Sequence, residues 1–183
     1  PAVFAGLASA NPDVALGLAW SVNGGTPHVL VSGPTRRGGP PVAPEALWHV
    51  GSITKSFTAA LALVMAEAGE IDLDGPVATH LPGETLHPDW QGVTFRAALS
   101  HTAGLPANVS PWSLLRPGPG SPDEQRLTQL RRLWSDPLPG SRGEHAYSNI
   151  GYVFAGAALE AATGTPWERL VRERVAAPAG LGS

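Results

Sequence analysis

Between Asp13 and Val22 the chain reads DVALGLAWSV, apolar at several points on both faces, which is the pattern of a strand. Asn23-Gly24-Gly25 follows as a turn signal, and His28 to Val31 returns as a second strand, so an antiparallel hairpin is expected. Gly33 to Pro44 is a loop rich in Gly and Pro, and Leu47 to Val50 is a short apolar approach segment. A helix is predicted from Ser52 to about Ala68. Its middle, Ala59 to Ala66, is apolar all round, as in a helix buried in a core, and Gly69 stops it. Asp72 to Pro82 reads as irregular, and Thr94 to Ser100 as a short helix opened by a cap-like Thr.

The second half is helical in pattern. Gly104 to Pro122 is a proline-rich loop, Asp123 to Trp134 an amphipathic helix capped near Ser121 to Asp123, and Gly140 to His145 another loop. Asn149 to Ala162 reads as a helix ending at Gly164, and Pro166 opens the next. Strands come early and helices follow. The expected class is α/β of the α+β type: an antiparallel sheet with a buried helix over residues 1–75, and a mainly helical region over 76–183. Two strands are few for such a sheet, which would leave an edge and part of the helix uncovered.

Composition narrows the function classes. The chain has 183 residues, 43% hydrophobic and 15% charged, which suits a globular domain and not a disordered one. A formal net charge of −3 gives no reason to expect nucleic acid. Without cysteine there are no disulfides, thiolate metal sites or Cys nucleophile. No apolar run is long enough to span a membrane, and no basic segment precedes an apolar one as in a signal peptide. The compartment stays open between periplasmic or secreted and cytoplasmic.

Lysine usage changes the picture most. Of the 12 Lys and Arg, only Lys55 is lysine. Arg stays protonated at neutral pH, whereas a desolvated Lys can accept a proton. Lys55 follows Ser52 by three residues, in Trp48-His49-Val50-Gly51-Ser52-Ile53-Thr54-Lys55, so the two share a face of the first helical turn. A helix N-terminus offers unpaired N–H groups to a developing oxyanion. A serine hydroxyl needs a base to become a nucleophile, and Lys55 is placed to be one. The plainer alternative makes Ser52 an N-cap and Lys55 a solvated first-turn residue, although a cation is misplaced at a positive helix end.

A second cluster is Tyr147-Ser148-Asn149. A phenol near an ammonium can relay a proton, and an Asn amide both donates and accepts. Equally, Ser148 or Asn149 can simply cap the following helix. Other groupings read as structural. There is no G-x-S-x-G elbow to pair with His101, which is expected to hold its loop through hydrogen bonds. His80, His87 and Asp89 lack metal-ligand spacing and read as loop surface, and Arg131-Arg132 as a solvated helix face. Trp90, Trp112 and Trp134 are expected under loops, with one at the edge of a cleft. Neither a metal nor any other cofactor is implied.

Taken together, WHVGSITKSFTAALALVMAEAGEIDLDGPV, FRAALSHTAGLP, HAYSNIGYVFAGAALEAATG and RVAAPAGL resemble successive blocks of the β-lactamase-related serine hydrolases. That family holds class C β-lactamases, D-Ala-D-Ala carboxypeptidases, D-aminopeptidases and esterases. The resemblance implies a β-lactamase/transpeptidase-like fold with Ser52 as nucleophile and Lys55 as general base or proton shuttle. It implies Tyr147 as the second acid/base, and Asn149 as a contact to a substrate amide and to Lys55. Leu105 to Asn108 matches the block that lines the cleft, so Asn108 is a candidate substrate contact. The expected reaction is acyl transfer through a Ser52 acyl-enzyme on an amide, β-lactam or ester, small molecule or peptide.

One departure stands out. The family carries a third motif, K-T-G or H-x-G, on later strands, and this sequence has no K-T-G. The sheet is therefore expected to be incomplete in this chain, with a complementary C-terminal segment as its partner. A non-hydrolytic penicillin-recognising module, or an inactive fragment of a longer hydrolase, stays open as the alternative.

Overall fold

The structure is a computed structural model that describes residues 2–110 and 118–181. It divides into two units, residues 1–50 and 51–183.

In the first unit, helix α1 (Ala2–Ala10) precedes strands β1 (Leu16–Trp20) and β2 (His28–Ser32). The strands pair antiparallel, with Leu16 opposite Ser32 and Trp20 opposite His28. The hairpin forms where the sequence places it, because Asn23 and Gly24 both take the left-handed backbone that the turn needs, at φ 50° and 72°. The Trp20 and His28 rings stack at 5.0 Å and close the turn end of the ladder. Helix α1, which hydrophobic patterning did not single out, buries none of its residues. No described residue of 2–50 is buried, and Leu18 and Val29 remain open to solvent, as a lone two-stranded ribbon must leave them.

The second unit holds the core. A 3₁₀ turn, Gly51–Ile53, leads into α2 (Thr54–Glu67). A 3₁₀ turn at Val77–His80 then precedes α3 (Pro88–Gln91) and α4 (Phe95–Leu99). Helices α5 (Pro122–Arg131), α6 (Asn149–Thr163) and α7 (Trp167–Val171) complete the order, α7 running into a π turn, Arg172–Ala176. The caps follow the sequence. Thr94 Oγ1 accepts from the Ala97 N–H at 3.1 Å, the Glu124 carboxylate accepts from the Ser121 N–H at 2.8 Å, and Gly164 ends α6 at φ 64°.

Helix α6 is the centre of the core. Ile150, Phe154, Ala155, Ala158 and Leu159 are buried, and the Phe154 ring meets Trp90 edge-on at 5.3 Å and Trp134 at 6.2 Å. Trp90 and Trp134 are thus core residues; Trp112 lies outside the described residues. Gly151 lets α6 approach α4, since a Cβ there would stand 2.6 Å from the Ala98 carbonyl oxygen. Helix α2 enters the same core along one face, through Thr58, Leu61, Ala62 and Met65. Its all-apolar middle led us to expect burial all round, but Leu63 and Val64 are exposed, 57% and 39%.

Candidate active site

The 3₁₀ turn at Gly51–Ile53 decides where Ser52 points. Gly51 sits at φ 53°, and a Cβ there would meet nothing within 4 Å, so the glycine is needed for its backbone conformation and not for space. The N-cap of α2 is Ile53, with no side-chain cap, so the Ser52 hydroxyl is free of the capping duty that a serine before a helix commonly has. It faces two partners instead. Lys55, one turn along, donates from Nζ to Ser52 Oγ at 3.1 Å. Tyr147, from the far end of the unit, brings its phenolic oxygen to 2.9 Å from the same Oγ. Lys55 Nζ also lies over the Tyr147 ring, 4.9 Å from its centroid, and 5.6 Å from that of Tyr152.

These contacts act on the phenol. Its interaction with Lys55, then its hydrogen bond with Ser52, favours the phenolate and holds Tyr147 below the ordinary phenol value. Tyr152 goes the other way: burial, then the neighbouring Tyr147, raise it, and its hydroxyl donates to the Leu99 carbonyl at 2.6 Å. Of the two tyrosines, only Tyr147 turns its hydroxyl to Ser52.

The turn that carries Tyr147 is fixed on both sides. The capping role in the Tyr147-Ser148-Asn149 cluster falls to Ser148, whose Oγ accepts from the Gly151 N–H at 3.0 Å and donates to the Pro106 carbonyl at 2.6 Å. The Asn149 N–H donates to the Ala107 carbonyl at 2.8 Å. Asn149 Nδ2 donates to Asn108 Oδ1 at 2.5 Å, so the two candidate substrate contacts, 41 residues apart, are tied to each other. His101 holds the same turn: its Nδ1 accepts from the Ser148 N–H at 3.1 Å. The loop role expected of His101 is what the geometry gives it.

A cleft of about 240 Å³ runs from Lys55 and Asn149 between α2 and α6, over Thr58, Tyr152, Val153 and Gly156, to Trp167 and Arg126. Neither Trp167 nor Arg126 stood out in the sequence. Arg126 is not a free cation there. It donates to both oxygens of Glu160 and, at 2.9 Å, to Glu168 Oε1, while Glu160 also accepts from the Trp167 N–H at 2.7 Å. Burial works against the Arg126 charge, but its hydrogen bonds to Glu168 and Glu160 outweigh it and raise the guanidinium further. The cleft is therefore mostly apolar at its far end. His87 and Asp89 are engaged locally: Asp89 N–H donates to His87 Nδ1 at 3.2 Å, and Asp89 Oδ2 accepts from the Leu138 N–H at 3.2 Å. Among the described residues no cluster of His, Asp and Glu is arranged to hold a metal, and no helix is long and apolar enough to cross a membrane.

A serine just before a helix, a lysine one turn on and a tyrosine 95 residues away thus meet at one hydroxyl. The chain belongs to the β-lactamase family, whose model, Beta-lactamase, matches residues 7–183. It is 31% identical over 157 residues to penicillin-binding protein 4 of Amycolatopsis lactamdurans, covering 84% of this chain and 40% of that protein. A solved structure of SurE with D-Leu matches with a TM-score of 0.78 at 29% identity, over 98% of this chain and 39% of that one. A class C β-lactamase from Rhodobacter sphaeroides matches with a TM-score of 0.75 at 26% identity, over 100% of this chain and 49% of that one. The fold is thus that of the β-lactamases and transpeptidases, and the chain spans less than half the length of each of these three relatives.

Proposed function

We propose that this site performs acyl transfer through a covalent ester on Ser52, with an amide, β-lactam or ester as substrate. The observation that carries the reading is the shared hydroxyl: Ser52 Oγ accepts from Lys55 Nζ at 3.1 Å and stands 2.9 Å from the Tyr147 oxygen. A hydroxyl that accepts from Lys55 keeps its own proton to give, and Tyr147 is the group placed to take it. In this reading Tyr147 is the proton acceptor and Lys55 the cation that holds the phenolate and steadies Oγ. That reverses the order of the two roles that the S-x-x-K spacing suggests.

The steps then follow. Ser52 Oγ attacks the substrate carbonyl carbon as its proton passes to the Tyr147 oxygen. The Ser52 N–H, at the start of the helix, faces the carbonyl oxygen as it gains charge. The carbon–nitrogen or carbon–oxygen bond to the leaving group breaks, and the leaving group takes the proton back from Tyr147. Water, deprotonated by the same phenolate, attacks the acyl-Ser52 ester; the bond from the acyl carbon to Oγ breaks, Oγ takes the proton back from Tyr147, and the acid leaves. Asn149, tied to Asn108, presents its amide to the substrate. The largely apolar cleft toward Val153, Gly156 and Trp167 takes an apolar side chain, and Arg126, engaged by Glu160 and Glu168, is not free to pair with a substrate anion.

The names of the relatives support the substrate class: one binds penicillin, one is a β-lactamase, and one was solved with D-Leu. The sequence has no K-T-G, and a further segment carrying the third motif as partner to this site is part of the proposal. The test is labelling with a fluorophosphonate or a reactive β-lactam, followed by peptide mass mapping. The adduct is expected on Ser52 and absent in Ser52→Ala. An adduct on another serine in the folded protein would overturn the reading.

A further inference from the structure

His101 touches the turn 145–148 in three ways. Its carbonyl accepts from the Ala146 N–H at 2.8 Å, on one side of Tyr147. Its ring Nδ1 accepts from the Ser148 N–H at 3.1 Å, on the other. Between these two bonds the imidazole lies against the Tyr147 ring, with centroids 4.5 Å apart and planes inclined by 35°. Its back rests near Tyr152, at 5.3 Å. To make all three contacts the residue takes φ 63°, a left-handed conformation that a non-glycine residue adopts uncommonly. The backbone that carries the phenol is thus held on both sides by one residue, through its carbonyl and its ring, 46 residues away in sequence.

We infer that His101 is the positioning residue for Tyr147: its main-chain carbonyl and its neutral imidazole hold the backbone on either side of the phenol, and protonation of the ring, which breaks the bond to Ser148, releases the phenol from Ser52. The inference rests on the reading of Tyr147 as proton acceptor. Its chemistry is simple. An Nδ1 that accepts carries no proton, so the ring hydrogen sits on Nε2. A second proton can go only to Nδ1, where it would face the Ser148 N–H donor to donor. One hydrogen bond is then lost and two positive ends oppose each other.

The surroundings favour the neutral form. The titratable groups facing the ring are Lys55 from α2, His145 and Tyr147 from the turn, and Tyr152 from α6. Burial first, then the charges of His145 and Lys55, hold His101 below the ordinary histidine value of 6.5. The share of the acylation rate that depends on the clamp is therefore expected to be intact above that range, and lost as pH falls through the folded-state value of His101. The acid limb would report a movement of Tyr147 and not the titration of a reacting atom.

Two variants of the full-length protein test this, with the pH profile of Ser52 acylation by a fluorophosphonate or β-lactam as the readout. His101→Asn places an amide oxygen where Nδ1 stands, tolerates the left-handed backbone, and does not titrate. It is expected to acylate within about tenfold of wild type at pH 8, since the ring contact is lost but the clamp kept, and to lack the acid limb. His101→Leu removes the acceptor, and a misplaced phenol is expected to lower kcat on the order of 10²-fold with KM little changed. The wild-type acid limb surviving in His101→Asn, or wild-type kcat in His101→Leu, would overturn the inference. Should the leucine variant fail to fold, the asparagine profile decides alone. Nitrogen NMR of the His101 ring separates this inference from the reading beneath it. An Nδ1 acceptor signature at pH 8, with a Ser148 amide shift that follows the ring's titration, supports the clamp. A wild-type acylation rate in Tyr147→Phe would instead sink the role of the phenol.

Discussion

The Oγ of Ser52 lies 2.9 Å from the phenolic oxygen of Tyr147, 95 residues further along the chain. Around that distance are arranged a lysine that serves both groups, a helix start that presents an N–H, and a histidine that holds the phenol's backbone. The relationship leads to several measurable outcomes.

Tyr147→Phe removes one oxygen and leaves the ring against His101. Acylation of Ser52 is expected to fall by about 10²–10⁴-fold, the usual contribution of a positioned proton acceptor. Because the Tyr147 phenol is held below its ordinary value of 10.0, wild-type rates should rise with pH as the phenolate forms, and that inflexion should vanish in the variant. Stopped-flow acylation across pH checks both points.

Lys55→Arg keeps a charge in the first turn but exchanges a compact ammonium for a larger planar fork. The 3.1 Å contact to Ser52 Oγ cannot be reproduced by that geometry, and a loss on the order of 10²-fold in acylation is expected with the fold intact, because the hydroxyl is no longer held in place. A wild-type rate would show that charge alone is required.

Arg126→Met leaves the Glu160 carboxylate, only 10% exposed, without its cation. Breaking a buried pair from one side costs up to about 3–5 kcal/mol, and the urea midpoint should fall accordingly. Double replacement, Arg126→Met with Glu160→Gln, should recover part of the loss, because the stranded charge is then gone. An unchanged midpoint in the single variant would mean that Glu160 finds compensation elsewhere.

Gly151→Ala drives a methyl group into the Ala98 carbonyl oxygen at 2.6 Å. The contact is backbone on backbone, so α6 must move away from α4, at a cost of about 1–3 kcal/mol. Chemical denaturation reads the loss directly.

Acid should weaken the second unit in two stages. The folded value of His101 lies below 6.5, so its share of stability is present above that pH and is lost as pH falls toward the folded value. Hydrogen bonds from Arg131 and Arg126 likewise hold Glu84 and Glu168 below their ordinary 4.5. Their share is present above 4.5 and is lost as pH drops further, more weakly where the pairs are solvent-screened. Thermal melts from pH 8 to pH 3 should show the first decline disappear in His101→Asn and the second soften in Arg131→Gln.

Much of this was legible in the sequence because it is local. Ser52 and Lys55 meet through the three-residue spacing of one helical turn, Asn23-Gly24 turns the hairpin through its backbone conformation, and Thr94 and Gly164 bound their helices by capping. What depends on distant partners was not legible. Trp167 reaches the cleft only because α7 folds back on Gly156, and Arg126 finds Glu160 and Glu168 on two other helices. No period in the chain announces such meetings. The burial of α2 was over-read for the same reason: an apolar sequence states what a face wants to meet, not whether the described chain supplies it. The short α3 was hidden because its start is a histidine side chain, His87, accepting from Asp89.

In the proposed reaction, the 95-residue separation of Ser52 and Tyr147 also bears on when Ser52 becomes reactive. Closing so long a loop is a non-local event, one that a chain achieves late, after its helices have formed. Before that closure Ser52 is an ordinary alcohol, indistinguishable to an electrophile from any other serine. A covalent probe therefore counts only molecules that have finished assembling, and the growth of labelled Ser52 during refolding would time the last long-range step on the pathway.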